Sequence, residues 1–533
     1  MSDIAQYIAA GQASLGIEFG STRIKAVLVG PDCAPVAQGA FDWENRLENG
    51  VWTYHDDEIW DGLRAAYAAL AADVEKKHGV RLERLAAIGF SAMMHGYLAF
   101  GADGTLLVPF RTWRNTITGD AAAELSELFS FNVPQRWSIA HLHQAVRNGE
   151  AHVPAVRFLT TLAGYVHWKL TGRKVLGVGD ASGVFPIDSA TLDYDARMVA
   201  AYDALVAPRG LPWKLRDLLP EVLPAGADAG ALTEEGARIL DPTGALQAGI
   251  PLAPPEGDAG TGMVATNSVA ARTGNVSAGT SVFAMAVLER PLKSWYPEID
   301  MVTTPTGKAV AMVHCNTCTS DLNAWIELLG EAAAALGAKF GKGKLYDTLF
   351  EKALDGAPDA AGVVACNYLA GEPVTGFSEG RPLVARLPDA KLSLGDFMRA
   401  QIYSAVATLR LGMDILFEKE RVALDSLFGH GGLFKAPVVG QQILADALGV
   451  PVTCLSTAGE GGPWGMALLA AYRAEKADGE TLEDFLARRV FASATGSTRK
   501  PSPEGEHGFA RWLVRYHGLL EAERAAVAAI HCN

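Results

Sequence analysis

The sequence lacks the features of membrane and secreted proteins. It has no run of about 18 apolar residues, the length that a membrane-spanning helix requires, so we expect no membrane span and no membrane partner. Its first residues, Met1-Ser2-Asp3-Ile4, have neither the basic stretch nor the apolar core of a secretory signal. Cysteine is scarce, with six in 533 residues, which is too few for a disulfide framework. These absences predict a cytoplasmic protein.

The sequence also has fewer basic than acidic residues. Lys and Arg number 46 against 60 Asp and Glu, which gives a formal net charge of −14. An acidic chain repels nucleic acid and anionic lipid surfaces, so we expect no nucleic-acid partner. A local basic pocket for a phosphate group remains compatible with this balance.

Two common nucleotide-binding motifs are missing. The sequence contains no GxxxxGK[ST] segment, and no GxGxxG follows a predicted strand and opens a helix. A P-loop enzyme and a Rossmann dehydrogenase are therefore disfavoured. The chain is nevertheless long, and 533 residues exceed what one ordinary hydrophobic core accommodates, so we expect at least two domains.

The sequence does contain a hairpin that could bind a phosphate. Residues 16–29 alternate as strand, turn and strand, and Gly20 permits the turn. Hydroxyls and a guanidinium stand at the tip, in Ser21, Thr22 and Arg23, and the carboxylate of Glu18 just before it could hold a cation. An ordinary buried hairpin with a polar turn explains this stretch equally well.

A second hairpin of the same kind occupies residues 274–285, about 260 residues further on. Repetition of such a unit implies two related halves, with domains at 1–270 and 271–533. Strands alternate with helices in both halves, one of them expected from Asp56 and another over 394–420, which predicts an α/β fold with mixed sheets. Residues 494–508, rich in Ser, Gly and Pro, are predicted to form a surface loop.

These segments resemble, in order and spacing, the motifs of the FGGY family of carbohydrate kinases. The family's DxGTxxxK motif is similar to residues 18–25, with Glu18 in place of Asp, and its Trp-x-Asp segment to 113–115, with Asn115 in place of the acid. The other matching segments are Met94-His95-Gly96, residues 180–188, the Gly257-Asp258 turn, residues 274–281 and residues 431–435.

The resemblance implies a fold, a reaction and a cofactor. The fold is two actin-like (ribonuclease H-like) α/β domains with mixed sheets around an interdomain cleft. The reaction is ATP-dependent phosphorylation of a ketose hydroxyl, expected to be that of a pentulose such as xylulose. Asp258 is the implied general base, and Mg²⁺ near Glu18 and ATP between the two hairpins are the implied cofactors.

The remaining site residues follow from the same resemblance. The ATP phosphates would face Ser21, Thr22, Arg23, Gly279 and Thr280, and the adenosine would face Gly431, Gly432, Lys435 and Gly461. The sugar would contact Met94, His95, Trp113, Asn115 and Asp180, together with Asp258. For each of these residues, a structural role at a turn or strand end is the alternative interpretation.

Other functions stay open at this point. The substrate could be ribulose, a tetrulose or a polyol. The same two-domain plan occurs in actin-like regulatory ATPases and sugar sensors, and a catalytically silent scaffold is a third alternative. Apolar helical faces would suit a homodimer, but they suit a core equally well.

Overall fold

The computed structural model describes residues 2–436, 438–457 and 459–531. In chain order, the strands of the first half are β1 (Ser14–Phe19), β2 (Arg23–Val29), β3 (Pro35–Asp42), β4 (Arg46–Glu48), β5 (Val51–Thr53), β6 (Ala87–Ala92), β7 (Leu98–Phe100), β8 (Phe158–Thr160), β9 (Val175–Gly177), β10 (Ile187–Asp188), β11 (Asp193–Tyr194), β12 (Glu221–Leu223) and β13 (Glu256–Gly257). Those that follow are β14 (Thr273–Ala278), β15 (Val282–Val287), β16 (Ile299–Thr303), β17 (Ala309–Cys315), β18 (Val363–Cys366), β19 (Leu383–Arg386), β20 (Ser426–His430), β21 (Val452–Leu455) and β22 (Gly496–Arg499).

The helices connect and cover these strands. Up to residue 270 they are α1 (Asp3–Ala9), α2 (Asp56–His78), α3 (Gly119–Phe129), α4 (Ser138–Asn148), α5 (Leu162–Thr171), α6 (Val178–Ala181), α7 (Ala196–Val206), α8 (Leu215–Leu218), α9 (Glu234–Leu240) and α10 (Asp258–Ala265). Beyond it they are α11 (Thr319–Ala335), α12 (Lys342–Leu354), α13 (Leu394–Asp414), α14 (Val439–Leu448), α15 (Gly461–Glu475), α16 (Leu482–Phe485) and α17 (Pro503–Ala529). Among the described helices, none is long and apolar enough to cross a membrane.

Contacts divide the chain into two compact units. Unit 1 comprises the residues up to Val269 together with 301–310 and 460–494, and unit 2 comprises 270–300, 311–459 and the residues from Thr495 onward. Two segments that the sequence assigned to the second half, 301–310 and 460–494, thus lie in unit 1. The second of them carries α15, which packs on β1 because Gly16 leaves room for it: a Cβ at Gly16 would lie 2.3 Å from the Ala467 backbone nitrogen.

Unit 1 is built on a mixed five-stranded sheet. Its strand order is β13-β6-β1-β2-β3, in which β13, β6 and β1 are parallel and β2 and β3 are antiparallel to their neighbours. The helix predicted from Asp56 is α2, which packs on β3 and buries Leu63, Tyr67 and Leu70. These side chains belong to one continuous hydrophobic core with Ile17, Phe19 and Phe90 of the sheet.

Unit 2 contains a second mixed sheet, in which β17, β15, β14, β20, β21 and β22 are neighbours in that order. The predicted second hairpin is β14 paired antiparallel with β15, and β14 pairs in parallel with β20. The helix predicted over 394–420 is α13, which ends at Asp414 and continues as a π-helical turn to Lys419. The prediction of an α/β fold with mixed sheets is confirmed.

Residues 494–508 are not the surface loop that their composition predicted. Residues 496–499 form β22, which pairs antiparallel with β21, and the hydroxyls of Thr453 and Thr498 lie 2.8 Å apart across that pair. Ser502 then caps α17, accepting a hydrogen bond from the backbone nitrogen of Gly505. Ser and Pro mark a helix start here, a role that composition alone does not distinguish from a loop.

Candidate active site

The sheet of unit 1 brings three predicted segments to one edge. In its parallel part, Glu18 of β1 pairs with Ser91 of β6, and Ser91 pairs with Glu256 of β13. The carboxyl ends of these strands therefore lie side by side, as they do in the ligand sites of open α/β sheets. Asp258 begins α10 directly after β13, so the register alone places it beside the end of β6.

Asp258 lies among protein groups but is reached by solvent. The backbone N–H of Met94 donates a hydrogen bond of 3.1 Å to its Oδ1 atom, which fixes the carboxylate against the end of β6. The surrounding protein raises the pKa of Asp258, and the hydrogen bonds from Met94 and Ala259 oppose that shift. A carboxylate that is held in place and remains accessible can take a proton from a bound hydroxyl group.

Glu18 stands close to Asp258 and is half-buried. Burial, and after it the charge of Asp258, raises the pKa of Glu18 to about 8. The hydroxyl oxygen of Thr261 lies 3.5 Å from Oε2 of Glu18. At the start of α15, Gly462 makes room for the Glu18 carboxylate, since a Cβ there would lie 1.6 Å from Oε2.

A magnesium ion fits this pair of acids. Among the described residues no cluster of three or more His, Cys, Asp or Glu side chains forms a metal site. Mg²⁺ in phosphoryl-transfer sites, however, is held by one or two carboxylates, with water and substrate phosphates completing its shell. Glu18 with Asp258 nearby supplies that donor set, and a cation would offset both the burial and the Asp258 charge that raise the pKa of Glu18.

His95 has an unusual backbone conformation. Its φ of +70° lies in the left-handed region, which residues with a side chain rarely adopt, and Gly96 follows with a φ of +90°. The Nδ1 atom lies 3.1 Å from the carbonyl oxygen of Gly183, which can only accept, so Nδ1 carries the proton. Burial lowers the pKa of His95 well below its usual range. The neutral ring therefore offers Nε2 as a hydrogen-bond acceptor for a hydroxyl.

Asp180 is buried next to Gly257. Its Oδ2 accepts a hydrogen bond of 2.6 Å from the Thr161 hydroxyl, and its Oδ1 lies 3.3 Å from where a Cβ of Gly257 would be. Burial raises the pKa of Asp180 to about 7. Met94 packs against the same glycine, so the structure brings Met94, His95, Asp180 and Asp258 together as the sequence predicted.

Two residues near this group were missed by the sequence analysis. Glu256 is buried two positions before Asp258, and its carboxylate accepts hydrogen bonds from the backbone of α6. Arg136 lies near enough for its positive charge to lower the pKa of both Asp258 and His95. The acid in Pro255-Glu256-Gly257 was a visible signal, whereas nothing in the sequence around Arg136 marked it.

Trp113 and Asn115, which were also predicted to contact the sugar, have different surroundings from Met94, His95 and Asp180. The amide nitrogen of Asn115 donates to the carbonyl oxygens of Trp52 and Thr112 at 2.8 and 2.9 Å, and its amide oxygen accepts from the Trp52 backbone at 2.8 Å. The side-chain amide of Asn115 thus binds the backbone of β5 and of Thr112, and this geometry does not support a substrate role for Asn115. The side chain of Trp113 is 38% exposed.

Two aromatic side chains hold the tip of the first hairpin. The Tyr54 hydroxyl donates to the carbonyl oxygen of Ser21 at 2.6 Å, and the Trp43 indole nitrogen donates to that of Gly20 at 2.7 Å. The two rings stack with their centroids 4.0 Å apart. Thr22 is exposed at the tip, and the exposed Arg23 side chain pairs with Asp42 at 2.5 Å.

In unit 2, the turn of the second hairpin meets two other segments. The carbonyl oxygen of Gly279 accepts from the backbone and hydroxyl of Thr319 at the start of α11, and that of Thr280 accepts from Cys318. Gly431 has a φ of +102°, and a Cβ there would lie 2.5 Å from the carbonyl oxygen of Ala278.

The other predicted adenosine residues divide between the units. Gly432 opens a 3₁₀ turn that ends at Phe434, and the backbone of Lys435 donates to Gly432 at 3.2 Å. Gly461, which the sequence grouped with them, is the first residue of α15 and belongs to unit 1 beside Gly462 and Glu18. The packing of α15 on β1 accounts for that placement.

Comparison with known proteins assigns the family. The model of the FGGY carbohydrate kinase N-terminal domain matches residues 13–265, and that of the C-terminal domain matches residues 274–474. The chain is 24% identical over 286 residues to the xylulose kinase of Escherichia coli (strain K12), a match that spans 52% of this chain and 54% of that protein. The chain thus aligns with about half the length of that relative.

Solved structures show the same fold. The xylulose kinase of Rhodospirillum rubrum superposes with a TM-score of 0.78 at 21% identity, covering 96% of this chain and 99% of that one. The gluconate kinase of Lactobacillus acidophilus also gives a TM-score of 0.78, at 16% identity and with 96% and 98% coverage. With both domain models matched along most of its length, the chain belongs to the FGGY family of carbohydrate kinases.

Proposed function

We propose that this protein transfers the γ-phosphoryl group of ATP to a hydroxyl of a small neutral ketose, in the first place a pentulose such as xylulose. The observation that carries the proposal is the Asp258 carboxylate, fixed by the Met94 N–H, reachable by solvent and grouped with His95 and Asp180. A base beside two hydrogen-bonding side chains is the arrangement that activation of a sugar hydroxyl requires.

In the proposed reaction, Asp258 accepts the proton of the attacking hydroxyl as its oxygen bonds to the γ-phosphorus. The bond from that phosphorus to the bridging oxygen breaks, and ADP leaves. Protein surroundings raise the pKa of Asp258, which makes it a better base than a fully solvated carboxylate. His95 would accept a hydrogen bond from a second hydroxyl through Nε2, and Asp180 would accept one from a third.

The phosphate and metal roles belong to the same proposal. Ser21, Thr22 and Arg23 in unit 1, and Gly279 and Thr280 in unit 2, would bind the ATP phosphates, and Gly431, Gly432 and Lys435 would bind the adenosine. Glu18 would hold Mg²⁺, through water or directly. When bound, the ion neutralises charge on the transferred phosphoryl group.

The charge of the site favours a neutral substrate. Glu18, Asp180, Glu256 and Asp258 are all acids, and burial raises the pKa of each, so a further negative charge beside them would be unfavourable. A sugar acid such as gluconate would add a further carboxylate, whereas a pentulose, tetrulose or polyol would not. This ranks a neutral ketose above the substrate named for the gluconate kinase of similar fold.

An acceptor panel tests the proposal. ADP release would be measured with xylulose, ribulose, erythrulose, glycerol and gluconate, and with no acceptor. We expect a pentulose to give the highest kcat/KM, with little ADP formed in the blank. Equal ADP release with and without acceptors would indicate a regulatory ATPase, and no release under any condition would indicate a silent scaffold.

A further inference from the structure

Glu256 is a buried acid with no role in the reaction described above. It is 1% exposed and lies in β13, two residues before Asp258. Its Oε1 accepts a hydrogen bond of 3.3 Å from the backbone of Gly179, and its Oε2 accepts one of 3.0 Å from the backbone of Asp180. The Glu256 carboxyl group thus joins the strand that leads to Asp258 to the turn that carries Asp180.

Glycines on this turn make room for the Glu256 carboxylate. A Cβ at Gly177 would lie 2.2 Å from Oε1, and one at Gly179 would lie 2.4 Å from Oε2. At the first turn of α10, a Cβ at Gly260 would lie 3.2 Å from Oε2. Any side chain at 177 or 179 would therefore displace the Glu256 carboxyl group, so glycine at both positions is required for Glu256 to occupy this site.

The turn that Glu256 holds also carries the partner of His95. Within α6 and the residues after it, the Gly183 N–H donates to the Asp180 carbonyl at 3.0 Å, and the Gly183 carbonyl accepts from His95 Nδ1 at 3.1 Å. One carboxylate thus orders a short segment that sets the position of the Asp180 carboxylate and the orientation of the His95 ring. His95 needs such support because its left-handed backbone is unfavourable.

We propose that Glu256 is the positioning residue of the sugar subsite, acting through the 177–183 backbone on Asp180 and His95. It does not touch the substrate. Its loss should weaken sugar binding and leave ATP binding unaltered, because its hydrogen bonds go to the segment that carries the sugar residues. The inference rests on the proposed function for its kinetic part only, since the ordering of residues 177–183 can be measured without any substrate.

The test compares Glu256→Gln and Glu256→Ala with a matched control, Glu420→Gln. Glu420 is likewise buried and accepts hydrogen bonds from two backbone nitrogens, those of Lys293 and Ser294, but it lies in unit 2. For each full-length variant, KM for xylulose (or for the panel sugar with the highest kcat/KM), KM for ATP and kcat would be determined. Amide hydrogen exchange over 177–183 would be measured on the same proteins without ligands.

For Glu256→Ala we expect the sugar KM to rise by roughly 10- to 100-fold, the range for the loss of two buried hydrogen bonds. The KM for ATP should stay within about twofold, and amides 177–183 should exchange faster, since their acceptor is gone. Glu256→Gln keeps one acceptor oxygen and should recover part of the sugar KM. Glu420→Gln should leave the sugar KM and the exchange of 177–183 at wild-type values.

Two outcomes would overturn the proposal. One is an unchanged sugar KM together with unchanged exchange at 177–183 in both Glu256 variants. The other is a parallel rise in the KM values for sugar and ATP, which would assign Glu256 a general structural role. If the wild-type protein turns over no sugar, the proposed function fails, and the exchange data alone decide whether Glu256 orders the segment.

Discussion

At the scale of single residues, the proposed reaction depends on Asp258. The carboxylate accepts a hydrogen bond from the Met94 N–H and is accessible from solvent. Asp258→Asn keeps an acceptor oxygen for that N–H but cannot take a proton. We therefore expect kcat to fall by roughly 10²- to 10⁴-fold, the usual contribution of a general base, with little change in thermal stability.

Steady-state kinetics and a binding titration with the preferred sugar check this prediction. The dissociation constant for the sugar should stay within a few-fold of wild type, because the amide retains the hydrogen bond to Met94. Near-normal turnover by the folded Asp258→Asn protein would refute the assignment of Asp258 as the base.

Glu18 provides a second prediction at this scale, which concerns the metal. Glu18→Gln removes the negative charge of the proposed metal-binding residue, so the Mg²⁺ concentration for half-maximal ADP release should rise by about tenfold or more, the usual cost of losing a group that supports a metal site. Gly462→Ala should have a similar effect without altering any charge, because its Cβ would lie 1.6 Å from the Glu18 carboxylate oxygen.

The control for Gly462→Ala is Gly459→Ala, three residues earlier, where a Cβ would meet nothing within 4 Å. That variant should show the wild-type Mg²⁺ dependence. If all three variants have the same Mg²⁺ dependence as the wild type, Glu18 does not bind the metal.

Asp258 and Glu18 could be proposed from the sequence because each sits in a short motif with a glycine within two residues. Glu256 was not found, since its role depends on hydrogen bonds to backbone about 76 residues earlier in the chain. The hydrogen-bond partners of Asn115 could not be predicted for the same kind of reason. Its side chain type suggested hydroxyl recognition, but its amide bonds to Trp52, 63 residues earlier. Local patterns carry no information on such partners.

At the scale of elements, the stacked rings of Trp43 and Tyr54 hold the tip of the first hairpin through hydrogen bonds to its backbone. Tyr54→Phe removes the 2.6 Å hydrogen bond to the Ser21 carbonyl but preserves the stack with Trp43. The tip should then become less ordered, and we expect the KM for ATP to rise by about fivefold, in line with one lost hydrogen bond. The KM for sugar should not change, because the tip is proposed to bind the ATP phosphates and not the sugar.

Tyr7→Phe serves as the comparison, since Tyr7 lies in the same unit and its hydroxyl donates to Glu475 at 3.2 Å. This variant should have the ATP KM of the wild type. An ATP KM that responds equally to both substitutions would show that the effect of Tyr54 is not specific to the hairpin tip.

Elements with strong local signals were predicted well. Both hairpins and α2 follow from apolar alternation or helical spacing around a glycine or a row of acids. β22 was missed because Gly496, Ser497 and Thr498 have the composition of a loop, and only pairing with β21 makes them a strand.

At the scale of the whole molecule, buried acids make stability depend on pH. The pKa of Glu256 is about 8, and that of Glu372 in unit 2 is about 7, both well above their ordinary values because of burial. The folded state therefore retains protons that the unfolded chain releases above its own pKa of about 4.5. The free energy of unfolding should fall as the pH rises from the unfolded pKa of about 4.5 to the folded pKa values of about 7 and 8, and it should level off at higher pH.

Thermal unfolding without ligands, measured between pH 6 and 9, tests this expectation. The Tm should decrease from pH 7 to pH 9. Glu256→Gln has no proton to lose at this position, so its Tm should decrease less over the same interval. A Tm that rises with pH, or an identical slope in the variant, would contradict the raised pKa of Glu256.

The division into two halves was visible in the repeated hairpin, but the composition of unit 1 was not. Residues 460–494 follow nearly all of unit 2 in the chain and still belong to unit 1. The close approach of α15 to Gly16 and Gly89 is what assigns residues 460–494 to unit 1. Glycines in a strand sequence do not indicate which helix will pack against them.

The return of α15 to β1 has a consequence for synthesis on the ribosome. The strand β1 is translated about 440 residues before α15, the helix that packs on it and borders Glu18. At elongation rates of roughly 5–20 residues per second, β1 must wait about 20–90 s for α15. During that time its glycine-lined face is open, so we expect the nascent chain to engage chaperones until Glu475 has emerged.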